Sequence, residues 1–406
     1  MRRLLTLAIS AGLAFSAQPA VALELDQLLP IGIAGFNAAP NVTILTRKHP
    51  QYDSLGIRWD GWEINPELSL GAGYDSNPSG IASASATLNA TPSLLLHDTA
   101  LGFGAYAAAQ FQNYMQSPAQ NTHGYTLALG EGLLLPHNSL VLALARLRTQ
   151  ETGFTLDNFS ATRPVTLTGT EFRASDKYTT GMLTLTPEFT YATAITQSLA
   201  NPASASLAAT NIGGGLTFTF TPDAITSLVM RLHASNWRFS QPGQNANDYT
   251  ALIGLSNDAE HLWSFRLLGG AAARRPSIGT SQVVPVLEAA ASWMPTPLTS
   301  LDFSAAHEIE DPERLDAASY TLSEAKLSLA HELRRNIIIT ATASATQAKY
   351  FHNPLSETLL TSGVTLTWRL NRQFRLVTAY DFNDRQANLL RAANEHVVTF
   401  TLTWAP

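Results

Sequence analysis

Side chains capable of catalysis are sparse in this sequence. His307–Glu308 and His331–Glu332 each place a histidine beside a carboxylate, a pairing used in acid–base chemistry. Neighbouring residues on a strand point to opposite faces, so neither pair can act together. The sequence holds no Gly-x-Ser-x-Gly nucleophile motif, no His-Glu-x-x-His zinc motif, no phosphate-binding loop and no cysteine. We expect no enzyme activity, no catalytic residues, and no metal or cofactor.

A larger set of charged residues recurs at alternate positions among Thr, Ser and Gly, which places them on the polar faces of strands. Acids and bases that face each other across a hydrated interior set a transverse field that selects among solutes. Arg231, Arg266, Arg369 and Arg375 are the candidates for such a constriction, and a wall network in which the charges only satisfy one another is the alternative. The predicted pore-lining residues are Glu63, Glu67, Arg231, His233, Arg266, Arg274, Glu288, Asp302, Lys326, Arg369, Arg375, Asp381 and Glu395.

An alternation of apolar and polar residues, with a period of two, predicts the strands that would carry these charges. Apolar and polar residues alternate from Trp62 to Tyr74, and the same pattern returns from Val398 to Trp404. A soluble β-sandwich or β-helix would need Lys and Glu on its outer faces, but these faces read Leu, Ala, Val and Phe. We therefore expect the apolar faces to meet outer-membrane lipid and the polar faces to line a lumen.

Connections between the predicted strands alternate between short and long. A first count gives an odd number of strands, although two periplasmic termini require an even one, so a hidden hairpin is expected between Lys177 and Leu199, with its turn at Thr186-Pro187-Glu188. The sequence predicts an all-β, antiparallel, up-and-down transmembrane barrel over residues 62–406. It has about 18 strands, or about 16 in the alternative, with short periplasmic turns and longer extracellular loops. Those loops are predicted at 75–83, 151–176, 241–247, 310–317, 351–356 and 384–394.

Aromatic residues sort by type to the two ends of these strands. Amphipathic rings favour the two membrane interfaces, so we expect an aromatic girdle at each. Its members are Trp62, Trp263, Trp293, Trp368 and Trp404 on the periplasmic side, and Tyr74, Tyr249, Tyr320, Tyr350 and Tyr380 on the extracellular side.

The N-terminus carries the pattern of an export signal. Arg2 and Arg3 precede an apolar stretch that ends at Ala20-Val21-Ala22, which predicts a signal peptide over residues 1–22. After export and removal of this peptide, we expect the chain to reach the outer membrane of a Gram-negative bacterium. Residues 23–61 lack sustained alternation and contain three prolines. They are either a periplasmic lead-in or a plug inside the lumen, or they dock a periplasmic partner.

The amino-acid composition argues against three further classes: an ordinary soluble domain, a disordered chain and a nucleic-acid-binding protein. Charged residues make up 14% of the chain, against about 25% in a typical soluble domain. Aromatic residues make up 9%, which argues against disorder. The net charge of −6 favours no nucleic-acid partner.

The segment Pro66-Glu-Leu-Ser-Leu-Gly-Ala-Gly-Tyr-Asp-Ser-Asn77 resembles the opening strand of the putative β-barrel porin family linked with exopolysaccharide and capsule export. The resemblance implies an outer-membrane component of polysaccharide secretion, with polysaccharide in the lumen and periplasmic export components as partners. It implies no catalytic residues. The residues themselves leave two other functions open, a general or substrate-specific solute porin and a plugged structural or adhesive barrel.

Overall fold

The computed structural model describes residues 29–30, 32–36, 43–80, 83–98, 100–159, 161–198, 206–223, 225–240, 242–257, 262–311 and 319–406. The predicted signal peptide lies outside these residues. A short strand, β1 (Ile57–Trp59), is followed by the long strands β2 (Trp62–Asp75), β3 (Ser85–Asp98), β4 (Phe103–Tyr114), β5 (Thr122–Leu134), β6 (Asn138–Glu151), β7 (Val165–Thr180), β8 (Leu183–Ser198), β9 (Leu207–Phe220), β10 (Thr226–Phe239), β11 (Ala246–Asn257), β12 (Trp263–Pro276), β13 (Gln282–Thr296), β14 (Thr299–Glu310), β15 (Tyr320–Arg334), β16 (Ile337–Tyr350), β17 (Ser356–Arg369), β18 (Phe374–Ala387) and β19 (Leu390–Trp404).

The long strands close into a barrel. Each strand from β2 onward pairs antiparallel with the next, and β19 pairs with β2 in a register that joins Trp404 to Leu68 and Val397 to Asp75. Closure pairs both edges of the sheet, which leaves no free edge within the membrane. The prediction of 18 membrane strands is confirmed for the described residues. Among them, no helix has the length and hydrophobicity of a membrane span.

The additional hairpin turns between Lys177 and Leu199, as the sequence predicts, but its turn is formed by other residues than those predicted. The chain turns at Gly181 and Met182, and Gly181 has the positive φ of 58° that a tight turn favours. The prediction of a turn at Thr186-Pro187-Glu188 is wrong, because these residues lie within β8. Proline lacks an N–H, and the β7–β8 register is interrupted beside Pro187, between the pairs Ser175–Glu188 and Tyr178–Leu185.

Two predicted loops are shorter than expected. β7 already begins at Val165, so the loop predicted over 151–176 covers only 152–164. The loop predicted over 384–394 is mostly strand, because β18 and β19 continue to the pair Ala387–Leu390. At the start of β7, Val165 and Leu167 face inward and the threonines that alternate with them face outward, which is the reverse of a strand that meets lipid. In β18, both faces are polar from Asn383 to Gln386, which removes the alternation that marks a strand in the sequence.

The short connections and both ends of the barrel lie at one end of the molecule, and most longer connections lie at the other. Following the sequence-based expectation, we call these the periplasmic end and the extracellular end. One periplasmic turn, between β9 and β10, is closed by Asp223, whose carboxylate accepts hydrogen bonds from the N–H groups of Ile225 (2.8 Å) and Thr226 (2.6 Å). These two bonds lower the pKa of Asp223.

Most of the predicted girdle faces outward. The outward residues are Trp62, Trp263, Trp293, Trp368 and Trp404 at the periplasmic ends, and Tyr74, Tyr249 and Tyr380 at the extracellular ends. The assignment of Tyr320 and Tyr350 to the girdle is wrong, because both are buried and face inward, with ring centroids 5.4 Å apart. They share the face of inward-pointing Leu322 and Ala348 on their own strands, and burial brings the Tyr350 hydroxyl to polar partners.

Candidate functional site

The lumen is the candidate site, and all of the predicted pore-lining residues occupy inward positions on its wall: Glu63, Glu67, Arg231, His233, Arg266, Arg274, Glu288, Asp302, Lys326, Arg369, Arg375, Asp381 and Glu395. Arg231 and Arg266 lie on β10 and β12, and Arg369 and Arg375 lie at the periplasmic ends of β17 and β18. Strand order thus divides the four candidate arginines between two walls, and a constriction formed by them stays a prediction.

One side of the lumen is a packed wall. We use this name for the inward side chains of β10 to β13, which bury one another: Val229, Leu252, Leu268, Ala272, Val284 and Val286. The wall also holds ion pairs. Arg231 on β10 reaches Glu288 on β13 with bonds of 3.0 and 2.9 Å, although two strands lie between them. The wall curves tightly enough to let them meet, and both side chains are nearly excluded from water.

A second buried cation lies at the extracellular end of the packed wall. Arg274 donates to Asp248 at 2.9 Å and also bonds Asp311 beyond the end of β14. Burial raises the pKa of the Asp311 carboxyl, and Arg274 opposes this effect. In the described part of the chain, no three His, Asp or Glu side chains are placed to share a metal ion.

The other side of the lumen is a hydroxyl wall. We use this name for the inward Thr, Ser and Asn residues of β16, β17, β19, β2 and β3, which are partly or fully exposed in the mid-barrel: Thr340, Thr342, Ser344, Thr361, Thr365, Thr367, Thr399, Thr401, Ser69, Asn89 and Thr91. Ser344 and Thr361 share a hydrogen bond of 2.7 Å across strands. This wall offers rows of neutral donors and acceptors to a solute.

The N-terminal segment, here the described residues between 29 and 56, lies inside the barrel. Leu29, Ile33 and Phe36 are each only 2% exposed and pack on the inward faces of β5, β6 and β7. The Arg173 guanidinium lies 4.6 Å from the ring centre of Phe36 and donates to the Gly35 carbonyl at 3.2 Å. These contacts place the described part of the segment against the inward face of the barrel, which favours the plug over a lead-in outside the barrel.

The later part of the N-terminal segment contacts the opposite wall at the periplasmic mouth. Ile44 is fully buried against Ala330 and Ile338. Arg47 forms an ion pair with buried Glu332, and its guanidinium donates to the Pro297 carbonyl at 2.7 Å. Asp53 approaches Arg369 at 3.7 Å. The segment therefore touches both sides of the barrel near its periplasmic end.

His49 sits within this mouth cluster. Its Nε2 lies 3.4 Å from Glu332, and its Nδ1 lies 3.0 Å from the Arg47 carbonyl. Burial lowers the pKa of His49, and the nearby charge of Arg369 lowers it further, while Asp53 opposes the shift. A neutral imidazole thus fits the seated segment better than an imidazolium.

The extracellular end is crossed by an inner loop, residues 152–164, of which Ser160 lies outside the described residues. It starts from β6 and reaches β16 to β18 on the far side. The Tyr350 hydroxyl donates to Asp157 at 2.5 Å, and the Asp157 N–H donates to Glu357 at 2.8 Å. Arg385 bonds the Gly153 carbonyl and lies 5.1 Å from the ring centre of Phe154. The loop is fastened by polar bonds and a cation–π contact.

Most of the other predicted pore-lining residues contact only one or two neighbouring side chains, and these contacts do not form a common site. Arg375 bonds Glu67 at 2.8 Å, Lys326 bonds Glu324 on its own strand at 2.9 Å, and Ser292 donates to Asp302 at 2.6 Å. Glu63 and Glu395 accept hydrogen bonds from Asn65 and Asn383, His233 faces the glycines of β9, and Asp381 lies inward on β18.

Sequence reasoning missed the residues that hold the two inserted segments. Glu332, Glu357, Arg173 and Arg385 are the chief anchors. Inward parity marks Glu332 and Glu357, whereas Arg173 and Arg385 lie in stretches that the sequence predicts as loops. No sequence signal pairs them with residues 29–56 or 152–164.

Residues 276–405 match the family model described as putative beta-barrel porin 2. The match covers β13 to β19, which carry much of the hydroxyl wall. No curated protein matches the chain in sequence. The closed barrel and its apolar outer face are those of an outer-membrane β-barrel, and residues 276–405 are similar to a porin family model.

Several solved structures are similar to this barrel. The siderophore receptor PirA from Pseudomonas aeruginosa has 10% identity and a TM-score of 0.42 over 84% of this chain and 80% of that one. OccK1 (OpdK) from the same organism has 10% identity and a TM-score of 0.45 over 84% and 99%. The FrpB iron transporter from Neisseria meningitidis has 10% identity and a TM-score of 0.43 over 84% and 81%.

Proposed function

We propose that this chain is a gated outer-membrane conduit for carbohydrate, and that its own N-terminal segment closes the periplasmic mouth at rest. The observation that carries the proposal is the hydroxyl wall, which keeps its exposure in the mid-barrel while inserted segments meet both ends of the lumen. A conduit that is wet in the middle and contacted at both mouths suits regulated passage better than constant leakage.

Carbohydrate is favoured by the chemistry of the hydroxyl wall. Thr, Ser and Asn side chains both donate and accept hydrogen bonds, which matches the hydroxyl groups of a sugar. Asp381 on β18 is an inward charge at mid-height on this side of the lumen, but neutral hydroxyl and amide side chains outnumber it, which favours a neutral solute. Within the carbohydrate class, polysaccharide secretion is the role implied by the resemblance of the opening strand, and it makes the lumen the exit path of the polymer.

Gating by the N-terminal segment is favoured by the nature of its seat. Buried apolar contacts at Leu29, Ile33, Phe36 and Ile44 give it affinity for the wall. The ion pairs at the mouth are few, and Arg47 and Asp53 are both partly exposed, so a periplasmic partner can compete for these two side chains. Release of the segment would open the lumen from the periplasmic side, which is the side from which an exported polymer arrives.

Conductance in a planar bilayer tests the proposal. We expect the full chain to be mostly closed and a variant lacking residues 23–56 to be steadily open. Added maltohexaose should then block the open form in a concentration-dependent manner. A matched variant with Thr342→Val and Thr365→Val should conduct equally but be blocked more weakly.

Three outcomes would count against parts of this account. Equal conductance with and without residues 23–56 would remove the gate. Open current that maltohexaose does not affect would favour a general solute porin. Silence from both forms would favour a plugged structural or adhesive barrel.

A further inference from the structure

Charges on the outward face of the strands are sorted by height. Near the extracellular ends the outward charges are mainly basic, and near the periplasmic ends Glu131 and Asp176 are acidic. Outward acid at the extracellular side is limited, among the described strands, to Asp384. The outward basic residues there are Arg146, Arg148, Arg238, Arg275 and Lys349.

The densest part of this band is on β6. The outward residues Leu140, Leu142 and Leu144 form the apolar part of the strand, and the next two outward positions are Arg146 and Arg148. Two such positions are about 7 Å apart along a strand. Two arginines therefore occupy successive outward positions at the upper border of the apolar belt.

Hydroxyl groups flank this pair, but carboxylates do not. Arg146 donates to the Tyr125 hydroxyl at 3.2 Å and to the Thr170 hydroxyl at 3.3 Å. The Nε of Arg148 is buried and has no hydrogen-bond partner in the described part of the chain. Neither arginine forms an ion pair with a described acid. Charge at a membrane border without a counter-charge is costly, which indicates a partner outside the chain.

We propose that Arg146 and Arg148 bind a phosphate group of an anionic lipid in the outer leaflet. Two adjacent guanidinium groups match the oxygens of a phosphate through charge-assisted, bidentate hydrogen bonds. The Tyr125 and Thr170 hydroxyls hold Arg146 in place, and the leucines below offer a surface to the acyl chains. The site goes beyond the conduit, because it lies on the outer surface and uses no residue of the lumen.

A second copy of this chain is a poorer occupant for the same surface. Symmetric self-association around β6 would bring arginines against arginines, because no described outward acid lies beside them on β5 or β7 at this height. Like charges at short distance oppose such an interface. An anionic lipid meets the same surface with opposite charge.

Native mass spectrometry of the full chain in detergent tests the site, with a bisphosphorylated acyl-disaccharide lipid titrated as the probe. We expect R146Q/R148Q to weaken lipid binding about tenfold or more. R146K/R148K should fall between this variant and the native chain, because lysine keeps the charge but loses the planar fork. The matched control R238Q removes one basic residue from the same rim at a distant strand and should bind nearly as tightly as the native chain. Heat-modifiable migration on a gel checks that every variant is folded.

Three results would overturn the proposal. Unchanged lipid affinity in R146Q/R148Q would show that the pair is not the site. Competition by inorganic phosphate at the concentration of the lipid would assign the site to free phosphate. A lipid-free oligomer that is lost in R146Q/R148Q would make the surface an interface between copies.

Discussion

On β12 the inward residue Leu268 is fully buried, whereas on β16 the inward residue Thr342 is exposed, although each is the sixth residue of a 14-residue strand. The packed wall around Leu268 and the hydroxyl wall around Thr342 arise from the same alternation of residues. Alternation decides which side chains point inward, and the chemistry of those side chains decides whether water stays beside them. In the proposed function, the packed wall provides rigidity and the hydroxyl wall provides the path.

The largest contrast is expected between ion pairs of the two regions. Glu288→Ala removes the carboxylate that accepts both hydrogen bonds from the buried Arg231 guanidinium, so the free energy of unfolding should fall by about 3–5 kcal/mol. Glu67→Ala removes the partner of Arg375. Because Arg375 is 41% and Glu67 34% exposed, the free energy of unfolding should fall by less than about 1 kcal/mol. Urea unfolding from lipid vesicles measures both. Equal losses would contradict the division into a dry and a wet wall.

The second-largest change in the free energy of unfolding is expected when a buried apolar side chain is shortened. Leu268→Ala opens a cavity in a buried apolar cluster and should lower the free energy of unfolding by about 2–4 kcal/mol. Thr342→Ala on the hydroxyl wall should change it by less than about 0.5 kcal/mol, because the side chain is exposed. The same urea experiment compares the pair, and a large loss in Thr342→Ala would show that the hydroxyl wall is packed as well.

A smaller effect is expected at the periplasmic mouth. Arg47→Gln removes the ion pair to Glu332 and should raise the open probability of the channel about tenfold. This change corresponds to a loss of about 1.4 kcal/mol in the free energy that holds the N-terminal segment against the barrel. Arg372→Gln, in a periplasmic turn outside that ion pair, is the matched control and should leave gating unchanged. Single-channel recordings measure both, and equal effects would attribute the change to mouth charge in general.

Acidification should give the smallest effect. His49 faces Arg47, Asp53, Glu332 and Arg369, and burial holds the pKa of His49 below its ordinary value of 6.5. A base with a lowered pKa stabilises the seated segment above pH 6.5, and this contribution is lost as the pH falls through the lowered value. Open probability should thus rise on acidification, and His49→Gln should reduce that rise. An unchanged pH response in His49→Gln would exclude this histidine.

The strands and their faces could be predicted from the sequence because a period of two is a local signal. Glu288 and Asp302 were placed inward by parity alone. The partner of Glu288 could not be predicted, because Arg231 is 57 residues away and meets it only through the curvature of the wall. The same limit applies to Tyr350, whose position near a strand end fits either face until the inner loop supplies Asp157.

The N-terminal segment shows why the site itself was hard to foresee. Residues 29–56 have no periodic pattern, because each side chain that anchors them fits a different point on a finished barrel. Ile44 is buried only because Ala330 and Ile338 are already brought together by the pairing of β15 and β16. Sequence could suggest a plug as one of its options, but it could not choose among them.

The most direct test of the account uses a tether in this cysteine-free chain. Ile44→Cys combined with Ala330→Cys places two thiols in one buried cluster, and single-channel conductance is recorded before and after reduction. The account predicts a closed channel while the disulfide holds the N-terminal segment, and a higher open probability once it is reduced. Steady current through the oxidised, tethered protein would contradict the claim that this segment closes the lumen.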